Sequence, residues 1–120
     1  MNMDNALQSG LSTGTGAIVY PLMVKQETTL PALAYRRISD RLIDNAHGYG
    51  NRGHLHEVRL QITHVASSYA GLRTLVDATR TALDGCGFSA VTETAIQIED
   101  RETDGVYTSI KDYFIQYKDV

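Results

Sequence analysis

Glycine and histidine residues cluster in the stretch HGYGNRGHLH, between positions 47 and 56. Gly48, Gly50 and Gly53 have the spacing G-x-G-x-x-G, the pattern of a dinucleotide-binding turn. That turn works between a strand and a helix, because the helix N-terminus must face the pyrophosphate. The residues after Gly53 instead alternate between apolar and polar, which is the period of a strand. We therefore expect no nucleotide site here.

Histidines of the same stretch have a spacing that metal sites accept. His54 and His56 would place both imidazoles on one face of a strand, with His47 nearby in sequence. A metal shell needs further ligands, and Glu57 points to the opposite face by alternation. A polar loop in contact with solvent is the favoured interpretation, and we predict no metal.

The segment DRETDG places acidic residues at calcium-loop spacing. Asp100, Glu102 and Asp104 occupy positions one, three and five of such a loop, and Gly105 occupies position six. The twelfth position should be a glutamate, but it is Lys111, whose ammonium would oppose a cation. We therefore predict that Asp104-Gly105 forms a tight hairpin turn.

Candidate nucleophiles have no catalytic motif around them. Ser67, Ser68 and Cys86 belong to neither a G-x-S-x-G nor a Ser-x-x-Lys pattern. Cys86 is the single cysteine and is predicted to be a small buried thiol, while Ser68 and its neighbour can cap a helix. His64 follows Val58 in strand parity and is expected at the edge of the core with a hydrogen-bond partner. We predict no catalytic residue, no cofactor and no enzymatic activity.

Composition and charge limit the classes of protein to consider. The chain of 120 residues is expected to form one domain, with 42% hydrophobic and 21% charged residues. The net charge of −3 argues against a general nucleic-acid or anionic-membrane binder. The start of the chain does not have the pattern of a signal peptide, and no apolar run is long enough to cross a membrane. We expect a cytoplasmic protein, or one that enters a particle assembled there.

The periodicity of the chain predicts an α+β fold. Residues 69–84 have the pattern of an amphipathic helix, and residues 1–16 are expected to be flexible or to contain a short helix with Met3, Leu7 and Leu11 on one side. In the last strand, Val106 and Ile110 differ in parity from the later apolar residues, which a bulge near Lys111 or burial of both faces would explain. The helices are predicted to pack on one face of a mainly antiparallel sheet. The predicted strands are 17–24, 32–39, 55–65, 91–99 and 106–118.

The loop from 44 to 54 is longer than a hairpin connection requires, and such loops are often functional. Its three glycines favour flexibility, and it has almost no apolar residue with which to bury itself in its own subunit. It combines an aromatic side chain with polar ones, a mixture suited to contacts with another protein. We predict that it is an assembly arm; the alternative is a solvated connection. Its candidate contact residues are His47, Tyr49, Asn51, Arg52 and His54.

The order of segments resembles the tail-completion, or tail-terminator, family of long-tailed bacteriophages. The segments that carry the resemblance are VYPLMV (19–24), LPALAYRRISD (30–40), VRLQITHVASSYAGLRTLVDATRTAL (58–83) and EDRETDGVYTSIKDYFIQY (99–117). The resemblance implies a structural virion protein that caps the tail tube, stops its polymerisation and joins the tail to the head or neck. It implies a homo-oligomeric ring, usually a hexamer, whose partners are the tail-tube protein and a neck connector. DNA would pass through such a ring without specific binding.

Two other interpretations remain open at this stage. Another connector or head-completion protein of the neck uses similar small domains. A small cytosolic enzyme or ligand-binding domain would use His47, His54, His56 or the acidic hairpin.

Overall fold

Two helices and five strands make up the computed structural model, which describes residues 3–21, 30–43, 54–88, 90–103 and 105–119. The helices are α1 (Met3–Thr15) and α2 (Tyr69–Asp84). The strands are β1 (Ile18–Pro21), β2 (Ala32–Ile43), β3 (His54–Ala66), β4 (Ala90–Thr103) and β5 (Val106–Asp119).

The strands form one sheet in the order β1-β2-β3-β5-β4. β1 pairs with β2 in parallel, and every other pair is antiparallel. Helix α2 contacts β3, β4 and β5, while α1 contacts α2 and β1. Residues of both helices belong to the same core cluster as β3 and β5, so the helices cover one face of the sheet. The predicted α+β class, with a mainly antiparallel sheet and the helices on one face, is confirmed.

Helix α2 begins and ends at the residues that its sequence predicts. The Ser68 hydroxyl accepts a hydrogen bond from the Gly71 amide at 3.0 Å, which satisfies one of the amides left without a partner at a helix start. Gly85 follows the last helical residue, and its amide donates to carbonyls of the last turn. The predicted apolar stripe faces the core, since all of its members are buried: Leu72, Leu75, Val76, Thr79 and Leu83.

Helix α1 packs closely on α2 because two of its residues lack a side chain. Met3, Leu7 and Leu11 are buried, as their four-residue spacing predicts. A Cβ atom added to Gly10 would lie 2.4 Å from the Cys86 Sγ, and one added to Gly14 would lie 2.6 Å from the Ala82 Cβ. The two glycines therefore allow a helix separation that larger side chains would prevent.

The alternation predicted for β3 is observed. Val58, Leu60, Ile62 and His64 are all fully buried on the helix-covered face. Tyr113 and Ile115 of β5 pair directly with Leu60 and Val58 and are fully buried as well. The buried side chains of these two neighbouring strands therefore form the sheet side of the core, opposite the helices.

Strand β2 is longer than its alternation predicts. It was expected to end near Ser39, but it pairs with β3 as far as Ile43, opposite Leu55. The register shifts between Arg37 and Ser39, so Ile38 is an extra residue on this strand. The bulge changes the parity of the residues that follow, which is why the polar stretch after it does not look like a continuing strand.

The irregularity expected near Lys111 lies on the neighbouring strand. β5 pairs with β3 without interruption from Tyr107 to Asp119, so a bulge in β5, one of the two explanations considered for its change of parity, does not occur. The register of β4 shifts on both sides of Gln97, which pairs with Lys111. Within β5 the side chains alternate regularly, and Ile110 and Val106 lie on the face opposite Tyr113.

Candidate functional site

Most of the predicted arm lies outside the described residues. His47, Tyr49, Asn51 and Arg52 fall in the range 44–53, which carries no structural description. His54 was placed at the end of the loop, but it is the first residue of β3 and pairs with Asp119 of β5. The two strands that the arm connects, β2 and β3, are adjacent and antiparallel.

A side-chain cluster lies at the base of this connection. The His56 imidazole stacks on Tyr117 with ring centroids 5.0 Å apart and planes 12° from parallel. The same imidazole has its Nδ1 2.9 Å from a carboxylate oxygen of Asp40, which lies on β2 beyond the bulge. This cluster joins β2, β3 and β5 where the arm begins.

The structure places one carboxylate, that of Asp40, beside the His56 imidazole of the metal-site hypothesis. Asp40 lies beside His56, whereas Glu57 lies on the other face and accepts hydrogen bonds from Arg41 at 2.7 Å and Gln116 at 3.3 Å. In the described parts of the chain, no group of three histidine, cysteine, aspartate or glutamate residues is arranged to hold a metal ion.

The face of the sheet opposite the helices carries an ion pair whose carboxylate is buried. The Arg59 guanidinium donates to Asp112 through Nε at 2.7 Å and through Nη2, and Gln61 reaches the other carboxylate oxygen at 3.5 Å. The Asp112 side chain is 5% exposed, whereas the Arg59 side chain is 43% exposed. The carboxylate is thus covered, while its partner keeps a large surface for further contacts.

Two apolar side chains are exposed beside Arg59. Phe114 pairs with Arg59 across β3 and β5, and Ile38 is the bulged residue of β2 next to the Ser39–Arg59 pair. Both side chains remain more than one third exposed. An arginine flanked by exposed apolar groups is a composition common at the centre of protein interfaces.

Two of the candidate nucleophiles, Ser68 and Cys86, make hydrogen bonds to the backbone of the helix region. Ser68 is the cap of α2, and the Cys86 Sγ donates to the Ala82 carbonyl oxygen at 3.2 Å. Burial raises the pKa of the Cys86 thiol, which disfavours the nucleophilic thiolate. Cys86 is half-buried rather than fully buried as expected, because it lies just after α2 at the contact with α1.

His64 is a core residue, as its parity predicts. It is fully buried, and its Nδ1 lies 3.0 Å from the Ser109 carbonyl oxygen on β5. The expectation that it has a hydrogen-bond partner is confirmed, although it lies inside the core rather than at its edge.

The acidic segment DRETDG comprises the last four residues of β4 and the two residues that connect it to β5. Thr103 pairs with Val106, so two residues connect β4 to β5, and Gly105 has φ +78. That conformation favours glycine and agrees with the predicted tight turn. Lys111 lies within β5, so the segment is flanked by strands rather than by the helices of an EF-hand.

One solved structure shares this fold across nearly the whole chain. It is a chain from the virion of native gene transfer agent (GTA) particle, with a TM-score of 0.54 at 9% sequence identity. The match covers 98% of this chain and 95% of that chain. At such low identity the likeness shows the fold alone. No protein-family model matches the sequence, and no curated protein matches it. Among the described residues, no helix is long and apolar enough to cross a membrane.

Proposed function

We propose that this chain is a structural protein of a bacteriophage-like virion and acts as a tail terminator. The observation that carries the proposal is the likeness to a virion chain over nearly the full length of both molecules. The order of segments, which resembles the tail-terminator family, supports the finer role. In this role the chain forms a ring, with a hexamer as the expected number of subunits. The ring caps the tail tube, stops its growth and presents a surface to the neck.

The environments of the candidate nucleophiles support a role without catalysis. Ser68 caps a helix, and the pKa of Cys86 is raised rather than lowered. The open face of the sheet instead offers contact chemistry, because Arg59 lies directly opposite the exposed Phe114 across β3 and β5. These features suit a protein that works through its surfaces, in the tail or neck of a particle assembled in the host cytoplasm.

The arm is proposed as the segment that contacts a neighbouring subunit or the tail tube. Near the ends of the strands that it connects, His56 of β3 contacts both Tyr117 of β5 and Asp40 of β2. The residues proposed to make it are His47, Tyr49, Asn51, Arg52 and His54.

Deletion of the gene in the genome that encodes the particle tests the role. A tail terminator predicts tails of abnormal length that are detached from filled heads, seen by electron microscopy, and restored by the wild-type gene supplied separately. Detached tails of normal length would instead identify a neck connector. Intact particles from the deletion genome would overturn both virion roles.

Replacement of residues 48–53 by a short Gly-Ser turn tests the arm. The variant is expected to fold with unchanged thermal stability, because the described strands β2 and β3, which end at Ile43 and begin at His54, are left intact. It is expected to reproduce the tail defect of the deletion. Normal particles would show that the segment is only a connection.

A further inference from the structure

Arg36 is an exposed arginine on the face of the sheet opposite the helices. It pairs across β2 and β3 with Gln61, a residue of that face. Among the described residues, Arg36 has no carboxylate within ion-pair distance. Its guanidinium is therefore a charge on this face that no neighbouring side chain offsets.

The other arginines described on this face are already compensated. Arg59 pairs with Asp112, and Arg41 pairs with Glu57. Each of these pairs is neutral as a unit, so Arg36 is the cation in excess among the described side chains of the face. One anionic group placed beside Arg36 would restore the balance of charge.

Arg59 retains hydrogen-bond donors for such a group. Its guanidinium donates to Asp112 through Nε and Nη2, and both bonds go to the same carboxylate oxygen. An arginine has more N–H donors than this pairing uses, and those of Nη1 remain. Because Asp112 already holds the guanidinium in place, a second acceptor would bind it at little cost in side-chain entropy.

The two arginines are near enough to share one carboxylate. Arg36 is opposite Gln61, and Gln61 is two positions from Arg59 along β3 on the same face. Residues in this diagonal relationship lie within reach of each other's long side chains. A carboxylate between them would accept hydrogen bonds from both guanidinium groups, which is the geometry that arginine favours.

An exposed phenylalanine lies beside these donors. Phe114 pairs with Arg59 across β3 and β5 and is 37% exposed. Exposed polar residues continue the row on both sides, Ser39 opposite Arg59 and Thr92 opposite Phe114. An arginine and an aromatic ring bordered by polar groups have the composition of an interface centre and its rim. Four residues form this Arg59 patch: Arg36, Arg59, Gln61 and Phe114.

We infer that the Arg59 patch docks a segment of another protein that presents one carboxylate next to an apolar side chain. The carboxylate binds between Arg36 and Arg59, and the apolar side chain packs on Phe114. Nucleic acid fits the patch less well, because it binds through several phosphates and needs a matching number of cations. The inference deepens the proposed function and rests on it for the source of the partner, another protein of the same particle.

Selection from a library of short random peptides tests the inference without the particle. The immobilised wild-type chain enriches displayed peptides after removal of those that bind the variant Arg36→Gln/Phe114→Ser. The enriched peptides are expected to share an aspartate or glutamate close in sequence to an aromatic or aliphatic residue. An absence of enrichment, or a shared motif without an acidic residue, would overturn the inference.

Substitutions in the patch test its two contacts separately. The dissociation constant of an enriched peptide, measured by fluorescence anisotropy, is expected to rise at least about tenfold in Arg36→Gln and in Phe114→Ser. Replacement of the acidic residue of the peptide by its amide should weaken binding to the wild type but have little further effect on binding to Arg36→Gln. Equal effects on both proteins would show that the carboxylate does not contact Arg36, and the inference would be wrong.

Two matched variants change similar residues of the same face. Arg41→Gln removes an arginine of β2 that is 70% exposed but already pairs with Glu57. Val106→Ser removes an apolar group of β5 that is 36% exposed, which is close to the exposure of Phe114. Both are expected to change the affinity for the peptide by less than about threefold. If either weakens binding as strongly as its counterpart in the Arg59 patch, the patch is not the docking surface.

Two further measurements identify other occupants of the patch. Binding of a fluorescent oligo(dT) strand that is lost in Arg36→Gln/Phe114→Ser would assign the patch to nucleic acid. Self-association in sedimentation velocity that is lost in the same variant would assign it to a second copy of the chain. Either result would overturn the inference. None of these measurements uses the particle, so failure here is distinguishable from failure of the proposed function.

Discussion

Arg59 and Asp112 form an ion pair across β3 and β5 in which the carboxylate is buried and the guanidinium is not. A buried carboxylate that loses its cation keeps the cost of its removal from water. Loss of the arginine alone is therefore expected to reduce the stability of the fold more than loss of both charged groups together.

Replacement of Arg59 by methionine is expected to destabilise the fold by about 1–3 kcal/mol, because the buried Asp112 carboxylate then loses the guanidinium that pairs with it. The double variant Arg59→Met/Asp112→Leu should recover much of this loss, since no charge remains buried. Arg41→Met serves as a control from an exposed pair and should cost less than about 1 kcal/mol. Urea unfolding measures all three, and equal losses for Arg59→Met and Arg41→Met would contradict the prediction.

Leu75 lies in the core beneath α2, where it is 4% exposed. Leu75→Ala is expected to cost about 2–5 kcal/mol, through lost burial and the cavity that remains. Thr74→Ala, at the exposed neighbouring position, should change the free energy of unfolding by less than about 0.5 kcal/mol. A loss near zero for Leu75→Ala in chemical unfolding would show that this face does not pack on the sheet.

Substitution of Gly14 by alanine tests the close contact of the two helices. Alanine stabilises a helix by about 1 kcal/mol relative to glycine, but its Cβ here would lie 2.6 Å from the Ala82 Cβ. Overpacking of this kind costs about 1–3 kcal/mol, so Gly14→Ala is expected to be neutral or destabilising despite the better propensity. The variant Gly14→Ala/Ala82→Gly, which removes the clash, should be more stable than expected from its two single changes. Additive effects in thermal unfolding would place the helices further apart.

The alkylation rate of the Cys86 thiol and its contribution to stability are expected to depend on pH. Burial raises the pKa of its thiol, so alkylation by iodoacetamide should accelerate at a higher pH than for a free cysteine. The native state holds the proton more tightly, so this contribution to stability is complete below the unfolded-state pKa and is lost as pH rises through the higher folded-state pKa. Rates that match those of the chain unfolded in urea would show that the thiol is not protected.

The sequence predicted the elements better than their pairing. Helix α2 was expected at its observed bounds, because Ser68, the apolar stripe and Gly85 are local signals. The end of β2 was missed because the bulge at Ile38 changes the alternation, and the alternation is the only local signal of a strand.

The candidate site depends on which residues face each other across neighbouring strands, and the periodicity of a sequence does not specify that pairing. Arg59 and Asp112 lie 53 positions apart, and only the pairing of β3 with β5 brings them together. The stack of His56 on Tyr117 has the same origin. The alternation of β3 identifies Arg59 only as a residue of the polar face, and it does not indicate a buried partner. The arm residues His47, Tyr49, Asn51 and Arg52 stay a prediction, since they lie outside the described range.

The strand order has a consequence for synthesis of the chain. β5 is the last of the five strands to leave the ribosome, yet it lies between β3 and β4 and supplies the fully buried Tyr113 and Ile115. Until it emerges, β3 has no partner on that side and β4 has no neighbour within the sheet. The core therefore closes only after translation of residue 119, and shorter nascent chains expose apolar strand surface to which chaperones can bind.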